Sequence, residues 1–257
     1  MKELIKLSFL FAKLDFKERY VGTSLGQIWY LLSPVITIFI YTVIFSDFMK
    51  MKLNIVDSSY SYSIYLVSGL LAWSSFSTIL IRLSTSITDR AHLIKKINIP
   101  TFIYQIGIFI TEFVLLLLSY FLAVCFLFAI EYPVGLAIFA MIPILFIQTV
   151  FAFGLGVVVS LFVPFFKDIR EAFPIVIQLW FWLTPIVYLA SSIIDKYPIL
   201  FSINPMFYFV EIYQNIFLYG ETPSSFSILG LTIMAILQLI VAVYMYKKMI
   251  SSVKDIL

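Results

Sequence analysis

Long apolar runs, separated by short charged clusters, set the plan of this chain. Residues 2–17 have a different rhythm. At 100° per residue, Lys2, Lys6, Lys13 and Lys17 fall within about 60° of one another, while Leu4, Leu7, Phe11 and Leu14 form a separate apolar stripe. That pattern predicts an amphipathic helix over 1–20, lying in the membrane surface rather than crossing it. Asp15, Glu18 and Arg19 then break its apolar face. Six apolar runs follow, over about 29–49, 60–82, 101–130, 134–164, 172–190 and 225–246. A helix of about 20 residues crosses the hydrocarbon core, so each run predicts a membrane span. Five spans therefore fill 29–190 and the sixth is 225–246.

The stretch 191–223 fits neither a span nor a loop. Ile199–Ile203 is apolar, Asn204 and Pro205 interrupt it, and Met206–Tyr219 is apolar again around Glu211. A seventh span here would put Lys247, Lys248 and Lys254 on the side opposite the other basic clusters. Two short external re-entrant helices are expected instead. Backbone of that kind at membrane depth must be buried in protein or line water, which sets it beside a pathway. The expected fold is all-α: a single transmembrane domain over 1–257 with an N-terminal interface helix, six spans and an external re-entrant segment.

Composition and charge sharpen this picture. Hydrophobic residues make up 62% of the chain and charged residues 12%, where a soluble domain has about a quarter charged. Of the 17 Lys and Arg, three fall outside on this topology: Lys50, Lys52 and Lys196. The rest lie in the N-terminal helix, at the inner end of the second span (Arg82), in the loop 83–99, in the short loop around Lys167 and Arg170, and at the C-terminus. Cytoplasmic loops retain Lys and Arg, so the bias orients the molecule with both termini cytoplasmic. No cleavable signal peptide is expected, because Lys13, Asp15 and Lys17 interrupt the N-terminal apolar residues. The basic balance suits anionic lipid headgroups or an anionic substrate and calls for no nucleic acid.

The chemical inventory is short. No G-x-x-x-x-G-K-[ST] occurs, so the chain has no P-loop. One His, His92, and one Cys, Cys125, cannot build a zinc site, and no metal or cofactor is expected in this chain. No Ser-His-acid set is expected either, and the chain does not look like an enzyme. Glu112 lies inside the third apolar run. An intramembrane carboxylate is a functional candidate, as in a proton-coupled transporter, or a hydrogen-bonded structural residue.

Several motifs carry a resemblance. Arg19–Trp29 (RYVGTSLGQIW) followed by Leu32-Ser33-Pro34, Leu93–Pro100 (LIKKINIP), Phe165–Ile169 (FFKDI), Trp182–Tyr188 (WLTPIVY) and Ile203-Asn204-Pro205 occur in order over 19–205. Together they resemble type-2 ABC exporter permeases for polysaccharides, with Lys167 where that family often has Arg. The resemblance implies a homodimer with a pore between the copies. It also implies two copies of a separate P-loop ATPase that holds the ATP and magnesium. The implied substrate is a polyprenyl-pyrophosphate-linked polysaccharide of the O-antigen type, moved outward across a bacterial inner membrane. Teichoic acid or a small molecule is the other substrate reading.

Site candidates follow from that reading. Asp89, Arg90, Leu93, Lys95 and Lys96, with Asp15 and Glu18 on the N-terminal helix, are candidates for ATPase coupling; a solvated positive-inside loop is the alternative. Arg19, Arg82 and Arg90 are candidates for the lipid-pyrophosphate headgroup, since Arg grips phosphate bidentately, against plain snorkelling. Trp29, Tyr30, Trp73, Trp180, Trp182 and Tyr188 are candidate channel rings for the glycan, against packing and interface belts. Pro185, Asn204, Pro205 and Glu211 are expected to shape an external gate. Gly154 and Gly156 are expected to let helices approach closely.

Overall fold

In lipid a backbone must close its own hydrogen bonds, so apolar runs without a breaker become helices. The computed structural model describes residues 2–19, 21–49, 53, 59–96 and 100–257, without the side chains of Lys2, Asp47, Leu93, Lys95, Lys96 and Ser192. The helices are α1 (Lys2–Glu18), α2 (Trp29–Thr42), α3 (Ser61–Asp89), α4 (Ala91–Lys96), α5 (Thr101–Ala129), α6 (Met141–Phe162), α7 (Asp168–Trp182), α8 (Pro198–Ser202), α9 (Pro205–Tyr219) and α10 (Ser225–Ile256). Short 3-10 turns lead into α2 and α6, and α2 widens into a π turn over Val43–Phe48.

Among the described residues, five segments are long and apolar enough to cross a membrane: Gly26–Ser46, Ser61–Asp89, Thr101–Ala129, Leu136–Phe162 and Ser225–Ile256. The expected span 172–190 is shorter than that. Its helix ends at Trp182, because Pro185 cannot continue the ladder and keeps Thr184 out of helical geometry. Fifteen residues rise about 22 Å, short of the hydrocarbon core. The expected loop 83–99 is largely helical. Ser84, Ser86 and Thr88 return their hydroxyls to Ile81, Leu83 and Thr85 carbonyls, so these polar residues stay inside α3. The chain then bends at Arg90 into α4. The tip at 97–99 and the expected external loop with Lys50, Lys52 and Asp57 lie outside the described residues.

Helix α3 is the axis of the subunit. Two-thirds of its apolar window is buried (67%), against 17% for α10, and α2, α5, α6, α7 and α9 all pack on it. Glycines set two of the contacts made by α6. A Cβ at Gly156 would lie 2.6 Å from Leu83 Cβ on α3, and one at Gly154 would lie 3.0 Å from Gln238 Cγ on α10. These are the close approaches expected of the pair.

Helix α1 packs along α5 with an unexpected face. Ser8, Ala12 and Asp15 are buried, whereas Leu4, Ile5, Phe9, Leu10 and Leu14 are exposed. The small residues win the protein contact because Gly107 admits the backbone of α1: a Cβ there would meet Phe11 Cβ at 3.0 Å. Much of the apolar stripe is thereby left for lipid.

The segment after α7 turns back on itself. Val187 and Tyr188 carbonyls accept from Tyr62 and Tyr65 hydroxyls near the start of α3. Asn204 returns to the level of Trp180 at the end of α7. From there α9 runs to Leu218, whose carbonyl accepts from Tyr132. A descending α8 and a returning α9 therefore form a hairpin, capped by the Asn204 side chain at Met206 N and closed by left-handed Gly220.

Candidate functional site

Four charged side chains meet where α1 gives way to the chain entering α2. Arg19 and Arg82 both donate to Glu112 Oε1, and Arg82 donates its second nitrogen to Asp15 Oδ1. Arg82 comes from α3, Glu112 from α5, Asp15 from the last turn of α1 and Arg19 from just beyond it. Asp15 and Glu112 are buried, at 5% and 3% exposure. Two acids match two guanidiniums, so the set is electrically balanced. Carboxylates this deep need such partners to stay affordable in a low-dielectric setting. Asp15 Oδ2 has no partner among the described residues.

A second, more exposed layer surrounds it. Arg90 donates to Glu18 at 2.5 Å, with its guanidinium 4.9 Å from the Tyr104 ring centroid. Burial opposes the Arg90 charge, but Glu18 and Tyr104 more than offset it, and its pKa stands above the usual value. Asp89 pairs with Arg170 of α7 at 3.3 Å. A cleft of about 330 Å³ runs along these groups, lined by Asp15, Glu18, Arg19, Arg82, Asp89 and Arg90.

The coupling candidates thus divide. Asp15, Glu18, Asp89 and Arg90 converge on one charged layer. Leu93, Lys95 and Lys96 follow on α4, and their side chains lie outside the described residues. The three headgroup candidates, Arg19, Arg82 and Arg90, each face a carboxylate of this same chain. Glu112 is one of those carboxylates. Its place in the apolar run signalled the set; its partners, 93 and 30 positions away, gave no signal of pairing.

The aromatic candidates also separate. Tyr30 and Trp73 are 6% and 7% exposed. Tyr30 stacks on Phe16 and donates to its carbonyl, and Trp73 packs on Phe76, Trp180 and Phe181. Trp180 donates to Asn204, and Tyr188 donates to the Trp182 carbonyl. These rings hold the subunit together. Trp29 and Trp182 keep exposed faces, at 37% and 58%. Trp29 lines a cleft of about 160 Å³ with Arg19, Ser33, Ser74, Thr78 and Glu112.

At the opposite end, the gate candidates are wired into the hairpin. The Pro185 carbonyl accepts from Tyr65 and Gln214. Asn204 donates to the Leu183 carbonyl and to Thr184, and accepts from Trp180 and Met206 N. Pro205 begins α9, where its missing N–H is harmless, and Glu211 sits on the exposed face of α9. Two buried glutamines escaped the sequence reading. Gln105 donates to both Ser86 and Ser160, and Gln148 donates to the Ala72 carbonyl. Glutamines inside apolar runs were the available signal.

A family model described as ABC-2 type transporter matches residues 8–218. A curated relative from Klebsiella pneumoniae, named O-antigen export system permease protein RfbA, is 27% identical over 218 residues, covering 84% of this chain and 82% of the relative. Another of the same name from Myxococcus xanthus is 25% identical over 228 residues, covering 88% and 85%.

Proposed function

The chain belongs to the ABC-2 type transporter family, and on that premise we propose that it exports a lipid-linked, O-antigen-type polysaccharide from cytoplasm to periplasm. It is a multi-pass membrane subunit, and such membrane domains lack the nucleotide-binding domain; a partner ATPase subunit is implied. The observation that carries the substrate reading is the relatives' shared name, over more than four-fifths of both chains. In this reading two copies of the chain assemble with two ATPases in a bacterial inner membrane, both termini cytoplasmic.

Helix α7 supports the homodimer. Of its 15 residues only Ile177 is buried, and Ile175, Val176, Leu179 and Trp182 stand exposed. A helix too short to span the core gains a second wall from another copy. The charged layer supports coupling. ATPase closure pushes on α4 and on the Glu18 end of α1, and the Asp15–Arg82–Glu112–Arg19 set carries that displacement to α3 and α5 as one unit. The α8–α9 hairpin, hung on Asn204 and Pro185, is the external gate. Trp29 and Trp182 offer rings to a passing glycan, held weakly enough to leave again. Arg19, Arg82 and Arg90 each already hold a carboxylate of this chain, with which a pyrophosphate would compete. Glu112 is held by two arginines of the same chain, a structural role that accounts for its place in the apolar run.

Purification in mild detergent from the native host tests the proposal. A soluble P-loop ATPase at one-to-one ratio, in a particle holding two copies of each, with hydrolysis stimulated by a polyprenyl-linked glycan, is the expected result. A chain that comes out free of any ATPase would sink it.

A further inference from the structure

A groove near the other end of α5 from the chain entering α6 has no part in the reading above. It lies between α5, α6 and α10, with a volume of about 370 Å³. Phe102 and Ile106 of α5, Phe153 and Val157 of α6, and Leu239 and Val243 of α10 form its walls. At one end stand the Tyr246 ring and the aliphatic stem of Lys247, whose ammonium lies beyond the groove lining. The Tyr246 hydroxyl is held by Thr101 and the Phe102 N–H. Lys247 is exposed, and none of the ion pairs among the described residues involves it. Apolar walls, with an ammonium just beyond their rim that joins no ion pair among the described residues, are the two halves of a site for an anionic amphiphile.

The placement selects the amphiphile. Phe102 begins α5 just after Pro100, and Lys247 lies in the last part of α10, so the mouth is at the membrane surface that carries the charged layer. The walls lead from there along the spans. An acyl chain lying on these walls puts its phosphate at the height of Lys247. Basic groups between spans on the cytoplasmic side recognise anionic headgroups in this way. We infer that this groove binds one anionic glycerophospholipid of the cytoplasmic leaflet, its acyl chain against α5, α6 and α10 and its phosphate on Lys247. The leaflet assignment rests on the orientation proposed above; the site itself does not. The lipid would join α10 to α5, which otherwise meet chiefly through α6.

Native mass spectrometry of the detergent-solubilised protein with its co-purifying partners tests this, titrated with phosphatidylglycerol and phosphatidylcholine of the same acyl chains. The wild type is expected to hold one phosphatidylglycerol several-fold more tightly than phosphatidylcholine. Lys247→Gln should erase that preference. Val243→Trp, at a position 47% exposed and therefore able to accept a larger ring, should reduce tight binding of both lipids. Lys254→Gln, on the same helix but off the groove, should match the wild type. Equal affinity for both lipids in the wild type, or a preference that survives both groove variants, overturns the inference. So does displacement of phosphatidylglycerol by equimolar polyprenyl pyrophosphate, which would give the groove to the exported lipid's tail. A missing ATPase would defeat the export reading while leaving this lipid result untouched.

Discussion

Arg19 and Glu112, 93 positions apart in the chain, share an ion pair that ties the end of α1 to the long apolar helix α5. Arg82 meets the same carboxylate oxygen from α3. Glu112→Gln removes the charge that both guanidiniums face. We expect stability to fall by about 1–3 kcal/mol, with export reduced in parallel. The double variant Glu112→Gln/Arg82→Gln should lose less than the sum of the singles. Thermal unfolding of all four proteins in one detergent measures this; strictly additive losses would mean that the residues do not act as a set.

Gly156 decides how closely α6 approaches α3. Gly156→Ala places a methyl group 2.6 Å from Leu83 Cβ, and overpacking of that kind costs about 1–3 kcal/mol. Leu83→Ala in the same chain should recover part of the loss. Recovery is read from the melting temperature, and no recovery would place the strain elsewhere.

Asn204 holds the hairpin through its cap and its bonds to Trp180, Leu183 and Thr184. Asn204→Ala should cost at least about 1 kcal/mol through the cap alone. Hydrogen exchange should quicken in α8 and the first turn of α9 and stay unchanged in α10. Asn204→Asp keeps the acceptor for Trp180 and Met206 but loses both donated bonds, so its exchange should be intermediate. Protection unchanged in the alanine variant would remove Asn204 from the gate.

The exposed face of α7 should meet another copy. In a Cys125→Ser background, Leu179→Cys is expected to form an intermolecular disulfide in native membranes. Leu237→Cys on α10, nearly as exposed at 58% against 61%, should remain monomeric on a non-reducing gel. A reversed pattern would move the dimer interface to α10.

Sidedness can be read with a membrane-impermeant thiol reagent in the same background. Pro133→Cys, in the turn between α5 and α6, should label on intact cells. Ser251→Cys, near the end of α10, should label only after permeabilisation. The opposite result would invert the topology that the Lys and Arg bias implies.

The apolar runs alone were enough to place five helices long enough to span, the N-terminal helix and the interruption at Asn204-Pro205, because in lipid a helix is the only economical answer to a long apolar run. They did not fix where helices end against packing. Ser84, Ser86 and Thr88 read as loop residues, yet they bond back into α3. Residues 183–190 read as span, yet their carbonyls pair with α3 tyrosines. The rotation of α1 was equally hidden, since a sequence displays its most apolar stripe and not the small face that fits Gly107. Sequence also singled out Arg19, Arg82, Asp15, Glu18, Arg90 and Glu112, but under separate roles. Only the tertiary structure joined Asp15, Arg19, Arg82 and Glu112 into one balanced set. Pairing of charges depends on distances between helices, and those distances are set by the glycines and small residues that let the helices touch.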